Sequence, residues 1–415
     1  MNTWRAAAFL LLAAATAAAT AAATASSGEP RLLQELVDAT PAGGELDLEP
    51  GVYAGPVVVT RPIVIDGGGK ATIDAGGKGS VIVLETNGAQ IRGLTLRGSG
   101  ENHDTLDAGV QIRGDHNIVE DNVIEDCLFG VDLAQSDENI IRNNRIRSKD
   151  LELGVRGDSI RLWYSQRNQI LGNQIENTRD MVVWYSGANK IIGNRVRGSR
   201  YALHFMYAKR NEVEENDYRD NMVGIFLMYS DDVRIRRNRI VGAQGPTGMG
   251  VGFKESSGVV LEENEIIYCA KGIYLDVSPY ETDRENKFEG NLLAYNGVGV
   301  LFHSQWQGNL FTNNDFVDNF TQVAVRGGGH AMRHTWKGNY WDDYQGFDRN
   351  GDGQGDRPHK AYAYSDRMWM QKPAAAFFRA SPLFEALDFL DRLAPFIDPL
   401  QILEDPSPRY EPRNF

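Results

Sequence analysis

Apolar residues alternate with variable ones in short runs that return along most of the chain. The pairs Ile160/Leu162, Met181/Val183, Leu203/Phe205, Ile225/Leu227, Val251/Phe253 and Ile273/Leu275 mark six of these runs. Alternation with period two predicts strands with one buried face. Between the runs lie segments of the form N-x-[IV]-x-x-N-x-[IV], such as NIVEDNVI from Asn117 and NKIIGNRV from Asn189. Their second asparagine recurs at 122, 144, 173, 194, 216, 238, 264, 291, 314 and 339, with shortest steps of 21 to 22 residues. Insertions such as RSKDLELGVRGD and SPYETDREN account for the longer steps. A coil of roughly 22 residues holds three short strands and three turns but no helical hairpin. The pattern predicts an all-β solenoid, a right-handed parallel β-helix, with asparagines stacked at a turn. The segments GPVVVTRPIVIDGG, KATIDA and AQIRGLTL read as its N-terminal coils. An antiparallel β-sandwich is the alternative, and the fixed period with its asparagine register argues against it.

The same periodicity assigns directions. The apolar pairs face inward, so their neighbours Arg161/Trp163, Val182/Trp184, His204/Met206 and Phe226/Met228 face outward. A tyrosine follows each pair, at Tyr164, Tyr185, Tyr207 and Tyr229. In the next two coils the outward pair becomes Gly252/Lys254 and then Tyr274/Asp276. The result is an apolar strip roughly 15 Å tall at the spacing of parallel strands. Such a strip is expected to be a partner-binding surface formed by Trp163, Tyr164, Trp184, Tyr185, His204, Met206, Tyr207, Phe226, Met228 and Tyr229. Its rival explanation is a cover supplied by a loop or by the C-terminal tail. Cys127 and Cys269 share one coil position six rungs apart, about 29 Å, which excludes a disulfide and predicts buried wall residues.

Composition narrows the class. The net charge of −13 argues against nucleic acid as a partner. Residues 1–25 carry one arginine, then an Ala-rich apolar run ending in Ala-Thr-Ala before Ser26. This predicts a signal peptide removed near Ala25–Ser26 and export, to a periplasm, in preference to a membrane-spanning helix. The expected organisation is a signal peptide over 1–25, the β-helix over 26–345, and an Asp/Gly loop with a capping or docking tail over 346–415. In the tail, Leu383, Phe384, Leu387 and Leu390 have helical spacing between prolines and predict a short amphipathic helix.

Soft donors for a thiophilic metal ion would be methionine or cysteine sulfur supported by histidine. His204, Met206 and Met228 are the first candidate set, on one outward face. His330, Met332 and His334 are the second, because i, i+2 and i+4 share a face on a strand. Asp348, Asn350, Asp352 and Asp356 in DRNGDGQGD resemble the first half of a structural Ca²⁺ loop, although the twelfth position is His359 rather than Glu. A self-bonded Asx turn is the alternative.

The stretch GNYWDDYQGFDRNGDGQGD, the following DRMWM and FFRASP, the HFMY run and the asparagine repeats together resemble the NosD family. These are periplasmic β-helix proteins for maturation of nitrous oxide reductase. The resemblance spans essentially the whole mature chain. It implies an accessory protein, not an enzyme, for assembly of the client's copper–sulfide centre, and so makes transient Cu(I) the ion that the two soft-donor sets would hold. It also implies partners: an ABC transporter permease and ATPase, a membrane-anchored copper chaperone lipoprotein, and apo-nitrous oxide reductase. The rival is a carbohydrate-binding or carbohydrate-active β-helix. Asp158, Arg161 and Glu255 flank the strip, but no compact acid–base pair is evident from sequence. A purely structural, adhesin-like solenoid is a third class.

Overall fold

The computed structural model describes residues 31–379, 381–394 and 398–413. The expected signal peptide lies outside these residues. The described chain winds into a parallel β-solenoid of about 13 turns with coils of about 23 residues. Each coil contributes a strand to three faces. In one representative coil these are Lys190–Ile192, Arg195–Arg197 and Tyr201–Met206. Every ladder between coils is parallel, and the third face alone stacks 12 strands, from Val57–Val59 to Val323–Val325. Ile191, Val196, Leu203 and Phe205 from that coil point into one continuous apolar interior. The six inward pairs expected from alternation are all buried there.

The coils are joined along the axis by buried side-chain amides. At the corner between the first two faces, Asn173 donates its backbone N–H and its Nδ2 to Oδ1 of Asn194, at 2.9 and 3.0 Å. Asn194 donates in the same way to Asn216, at 2.8 and 3.0 Å, and gives its Nδ2 to the Ile170 carbonyl at 2.8 Å. The pattern runs unbroken from Asn122 to Asn339. Each amide satisfies backbone groups that the corner leaves without a strand partner, which is the condition for burying a turn. A second, interrupted file runs through Asn117, Asn139, Asn168, Asn189 and Asn211 and resumes at Asn286 and Asn309. It ends on His334, whose Nδ1 accepts from the backbone N–H of Asn309 at 3.3 Å.

Both ends of the solenoid are closed. Helix α1, Leu33–Ala39, buries Leu33 and Val37 against the first coils. At the other end His359–Ala363 pairs antiparallel with Leu400–Asp405. That hairpin brings Asp405 over the long asparagine file, where Oδ2 accepts from the backbone N–H and Nδ2 of Asn339 at 3.0 and 2.9 Å and from Trp341 Nε1 at 3.3 Å. A carboxylate, which only accepts, is the right terminus for a file of donors. Helices α2, Asp366–Gln371, and α3, Pro382–Leu393, complete the tail. The expected amphipathic helix is α3, but it does not cap: Leu383, Leu387 and Leu390 are exposed. Cys127 and Cys269 are buried wall residues, each thiol pushed up to about 12 by burial.

Two stability predictions follow from the ends of the files. Asp405→Ala leaves the last amide without its acceptor. Hydrogen exchange should accelerate across residues 335–341 while the amides around Ile191 keep their protection. The second concerns His334, which burial holds at a pKa of about 3, below its ordinary 6.5. As pH falls through that window the unfolded chain binds a proton that the folded chain refuses, so stability present above pH 6.5 is lost on acidification. His334→Asn restores an amide to the file and removes the titration. Thermal unfolding between pH 7 and 4 should show a shallower acid limb for this variant; an unchanged slope would remove His334 from the account.

Candidate docking and soft-metal face

The ladder of the third face sets the heights of the outward side chains. Trp163, Trp184, Met206, Met228, Lys254 and Asp276 lie on successive rungs in one file. Arg161, Val182, His204, Phe226, Gly252 and Tyr274 form the neighbouring file. The outward strip is therefore present at the expected register, although its residues pack on one another. Trp163 meets Trp184 edge to face at 4.6 Å, and Val182 is buried. Trp184 Nε1 is buried without a hydrogen-bond partner.

Beside the strip, Tyr164, Tyr185, Tyr207 and Tyr229 stack face to face at 4.8, 5.0 and 4.8 Å. All four occupy the left-handed backbone region, with φ between 49° and 52°. That corner disfavours a bulky side chain by roughly 1–2 kcal/mol, and each stacked pair returns about 0.5–1.5 kcal/mol. Tyr164 and Tyr207 remain exposed. Among the described residues the tail does not cover this region. It lies over the far end of the same face, where Leu301 and Ala324, outward by alternation, are buried in the cluster that holds Trp369 and Met370.

His204 is the polar member of the strip. Its ring stacks on Tyr201 at 4.6 Å, and its Nε2 lies 3.3 Å from Met228 Sδ. Burial, assisted by the Arg200 charge and opposed by Asp180, pushes its pKa down to about 4. The imidazole is therefore neutral at ordinary pH, one ring nitrogen a donor and the other an acceptor. Met206 sits one rung below Met228 in the same file. The structure thus brings His204 and Met228 together, with Met206 adjacent.

A charged network supports His204 from below. Arg200 clamps Asp180 through Nε at 3.0 Å and through Nη2, while Tyr201 N–H reaches the same carboxylate at 3.1 Å. The Arg200 guanidinium lies 5.2 Å above the Tyr201 ring that stacks on His204. One coil earlier, Arg179 holds Asp158 through two nitrogens at 3.0 and 2.9 Å. Burial nonetheless raises Asp158 to about 6, with Arg179 opposing it. Arg161 and Arg113 converge on the fully buried Asp132 at 2.9 and 2.7 Å. The sequence reading found Asp158 and Arg161 but not this network. Its signal was the charged residue before each apolar pair in three successive coils: GDSIRLW, RDMVVW and RYALHFM. The carboxylates are closed by arginines rather than left open as an acid–base pair.

The other candidate sets fare differently. His330, Met332 and His334 do not lie on a strand. His334 stacks inside on Phe302 at 4.3 Å, Met332 is exposed, and His330 meets Gln305 Nε2 at 3.1 Å. They share no face, because the chain turns there to end the asparagine file. In the aspartate loop, Asp348 accepts from the N–H groups of Gly351 and Gly353 at 2.7 and 2.8 Å. Asp352 accepts from Gln354 N–H at 2.8 Å and Asp356 from Arg349 N–H at 3.0 Å. The loop is held as a self-bonded turn. His359, at the twelfth position, stacks instead on Trp341 at 4.8 Å.

A family model described as "Periplasmic copper-binding protein (NosD)" matches residues 147–346, a span that contains the whole strip. A "Probable ABC transporter binding protein NosD" from Pseudomonas aeruginosa is 28% identical over 404 residues, covering 88% of each chain. The protein of the same description from Stutzerimonas stutzeri is 27% identical over 387 residues, covering 84% of this chain and 83% of its own. Among solved structures, the A-module of the mannuronan C-5 epimerase AlgE6 from Azotobacter vinelandii superposes with a TM-score of 0.56. It covers 74% of this chain and 93% of its own at 16% identity, a likeness of fold alone. Sequence span and relatives agree: the chain is similar to the NosD family, through its model over residues 147–346 and through relatives of that name over most of its length.

Proposed function

We propose that this protein is a periplasmic accessory factor that relays Cu(I) toward the copper–sulfide centre of apo-nitrous oxide reductase. In this reading it works with an ABC permease and its cytoplasmic ATPase, and it receives copper from a membrane-anchored chaperone. The observation that carries the reading is the contact between a neutral His204, through Nε2, and Met228 Sδ, 3.3 Å apart on a half-buried apolar strip. Imidazole and thioether are soft, uncharged donors suited to Cu(I). Together they hold the ion without a thiolate, which favours release. Both cysteines stay out of this chemistry, because burial keeps them as thiols. Tyr201 and Arg200 fix the imidazole plane, and the surrounding Trp163, Trp184, Phe226 and tyrosines offer apolar area to a docking partner. ATP hydrolysis belongs to the partner ATPase, and the chain acts as an accessory rather than an enzyme.

The sugar-binding alternative is less well supported. A sugar ring stacks on a free aromatic face, whereas Tyr185 and Tyr207 have both faces occupied by neighbouring tyrosines. The nearby carboxylates are tied to arginines.

Two measurements test the proposal. His204→Ala and Met228→Leu should each weaken Cu(I) binding at least tenfold in competition with a colorimetric Cu(I) chelator, with little change in melting temperature. Equal affinity in wild type and both variants would remove the donor pair from the relay. Separately, Trp184→Asp and Met206→Asp should fold, yet reduce capture of the copper chaperone and leave the client deficient in copper. Folded variants that support full copper loading of the client would show that the strip is not the working surface.

A further inference from the structure

We infer that the last coils and the tail form a second docking site, distinct from the Trp/Met strip, for a partner polypeptide segment that carries a lysine or arginine beside apolar residues. This rests on the reading of a transporter partner and adds where, and by what chemistry, that partner is held.

The polar half is a cavity of about 850 Å³ between the final corners, the hairpin and α2. Asp318, Asp342, Asp343 and Asp366 line it. Among the described residues, none of these four lies within ion-pair distance of a lysine or arginine. Of the cations on the wall, Arg392 pairs with Asp388 at 2.6 Å and also feels the Asp343 charge, Lys360 pairs with Glu404 at 3.5 Å, and Arg357 is exposed at the rim, so carboxylates still outnumber them. Burial raises the Asp342 carboxyl, and the neighbouring Asp343 charge adds to the rise. His359 also lines the cavity. It is 5% exposed, and its Nε2 has no hydrogen-bond partner although Asp343 Oδ1 stands 3.7 Å away. Asp342 accepts from Asp318 N–H and Gln322 Nε2, and Asp366 from Thr321 Oγ1 and Trp369 Nε1, so these carboxylates are hydrogen-bonded by neutral donors but lack a cation at ion-pair distance, beside an imidazole nitrogen that is unsatisfied. An ammonium or guanidinium group relieves them through several charge-assisted hydrogen bonds, and the Tyr344, Tyr362 and Tyr364 walls suit a cation.

The apolar half is α3, whose Arg392 borders the cavity. This helix is docked the wrong way round for a cap. Asp388 turns inward to accept from Ser365 Oγ at 2.8 Å, and Arg392 lies 5.1 Å from the Tyr364 ring. Leu383, Leu387, Phe389, Leu390 and Leu393 are left exposed. A surface helix ordinarily shows the reverse polarity, and an exposed apolar patch of this kind marks an interface. Charge selects the occupant. Three carboxylates and one arginine on α3, in a chain of net charge −13, disfavour an anionic lipid surface and favour a cationic polypeptide. The site lies four rungs beyond Met228, about 19 Å, so both surfaces can be occupied together.

The test is capture of the co-expressed permease and ATPase by the tagged full-length chain in detergent. Asp343→Lys and the pair Leu387→Asp/Leu390→Asp should each reduce co-purified permease at least tenfold. Asp343→Glu and the remote Lys70→Glu should retain it, and all variants should keep the wild-type melting temperature. Asp343→Asn, which removes charge alone, serves if the lysine variant fails to fold, and its expected result is also a loss. If the wild-type chain captures no permease, the transporter reading itself falls. If it does and the cavity and α3 variants capture equally well, only this inference is overturned. Undiminished capture combined with α3-dependent binding to phosphatidylglycerol vesicles, or with cavity binding of spermidine, would likewise overturn it in favour of a lipid or small-cation site.

Discussion

The structure depends on one repeated hydrogen-bond arrangement: a buried asparagine that accepts from the coil before it and donates onward to the coil after it. A solenoid must turn three times per coil, and each turn threatens to bury backbone groups without partners. Asparagine solves this at one corner because its amide supplies an acceptor and two donors in one plane. Stacked from Asn122 to Asn339, these amides also fix the vertical phase of every coil. A slip of one residue in any coil would take its asparagine out of the file and turn its apolar pair outward. Register is thereby specified twice, by polar satisfaction at the corner and by apolar burial on the faces.

Fixed register has a functional consequence. Side chains separated by 21 or 22 residues in sequence arrive at the same lateral position on adjacent rungs, so a property repeated in sequence becomes a file in space. The four tyrosines form a continuous stack only because their corners are superimposed. His204 reaches Met228 because the diagonal neighbour on the next rung lies within contact range of a long side chain. The rigid third face holds this pair without a preformed cavity, while the Asp180–Arg200–Tyr201 chain restrains the ring from one side.

Much of this was legible in the sequence, and the reasons are physical. Period two in apolar residues and a fixed asparagine interval identify strands, coil and inward direction together, which is why the solenoid and the outward strip emerged at the correct residues. What local pattern could not supply were contacts whose partners have no repeat relation. Asp405 meets Asn339 from 66 residues away through an unrepeated tail. His334 lies in a run that alternates like a strand, but the chain turns there and the imidazole replaces an amide at the end of a file. The helix α3 was recognisable from spacing, yet spacing cannot say which side meets the body. Here Ser365 and Tyr364 offer polar and aromatic partners to Asp388 and Arg392, and the leucines are turned away.

The two surfaces differ in a way that would matter for the proposed relay. The strip presents neutral donors in an apolar setting and lacks any thiolate, so an ion held there is held by thioether and imidazole alone. The tail presents an acidic cavity and an apolar helix face, which would suit the inferred attachment to a polypeptide. A protein that must stay attached to one partner while passing a soft ion to another benefits from keeping these chemistries apart. Were acid clustered beside His204, hard cations would compete for the site and the imidazole would protonate more readily. The arginine clamps on Asp158, Asp180 and Asp132 prevent this by tying up the carboxylates nearest the strip. The asparagine files hold the separation constant, because neither end of the solenoid can shift against the other without breaking buried amide bonds in between.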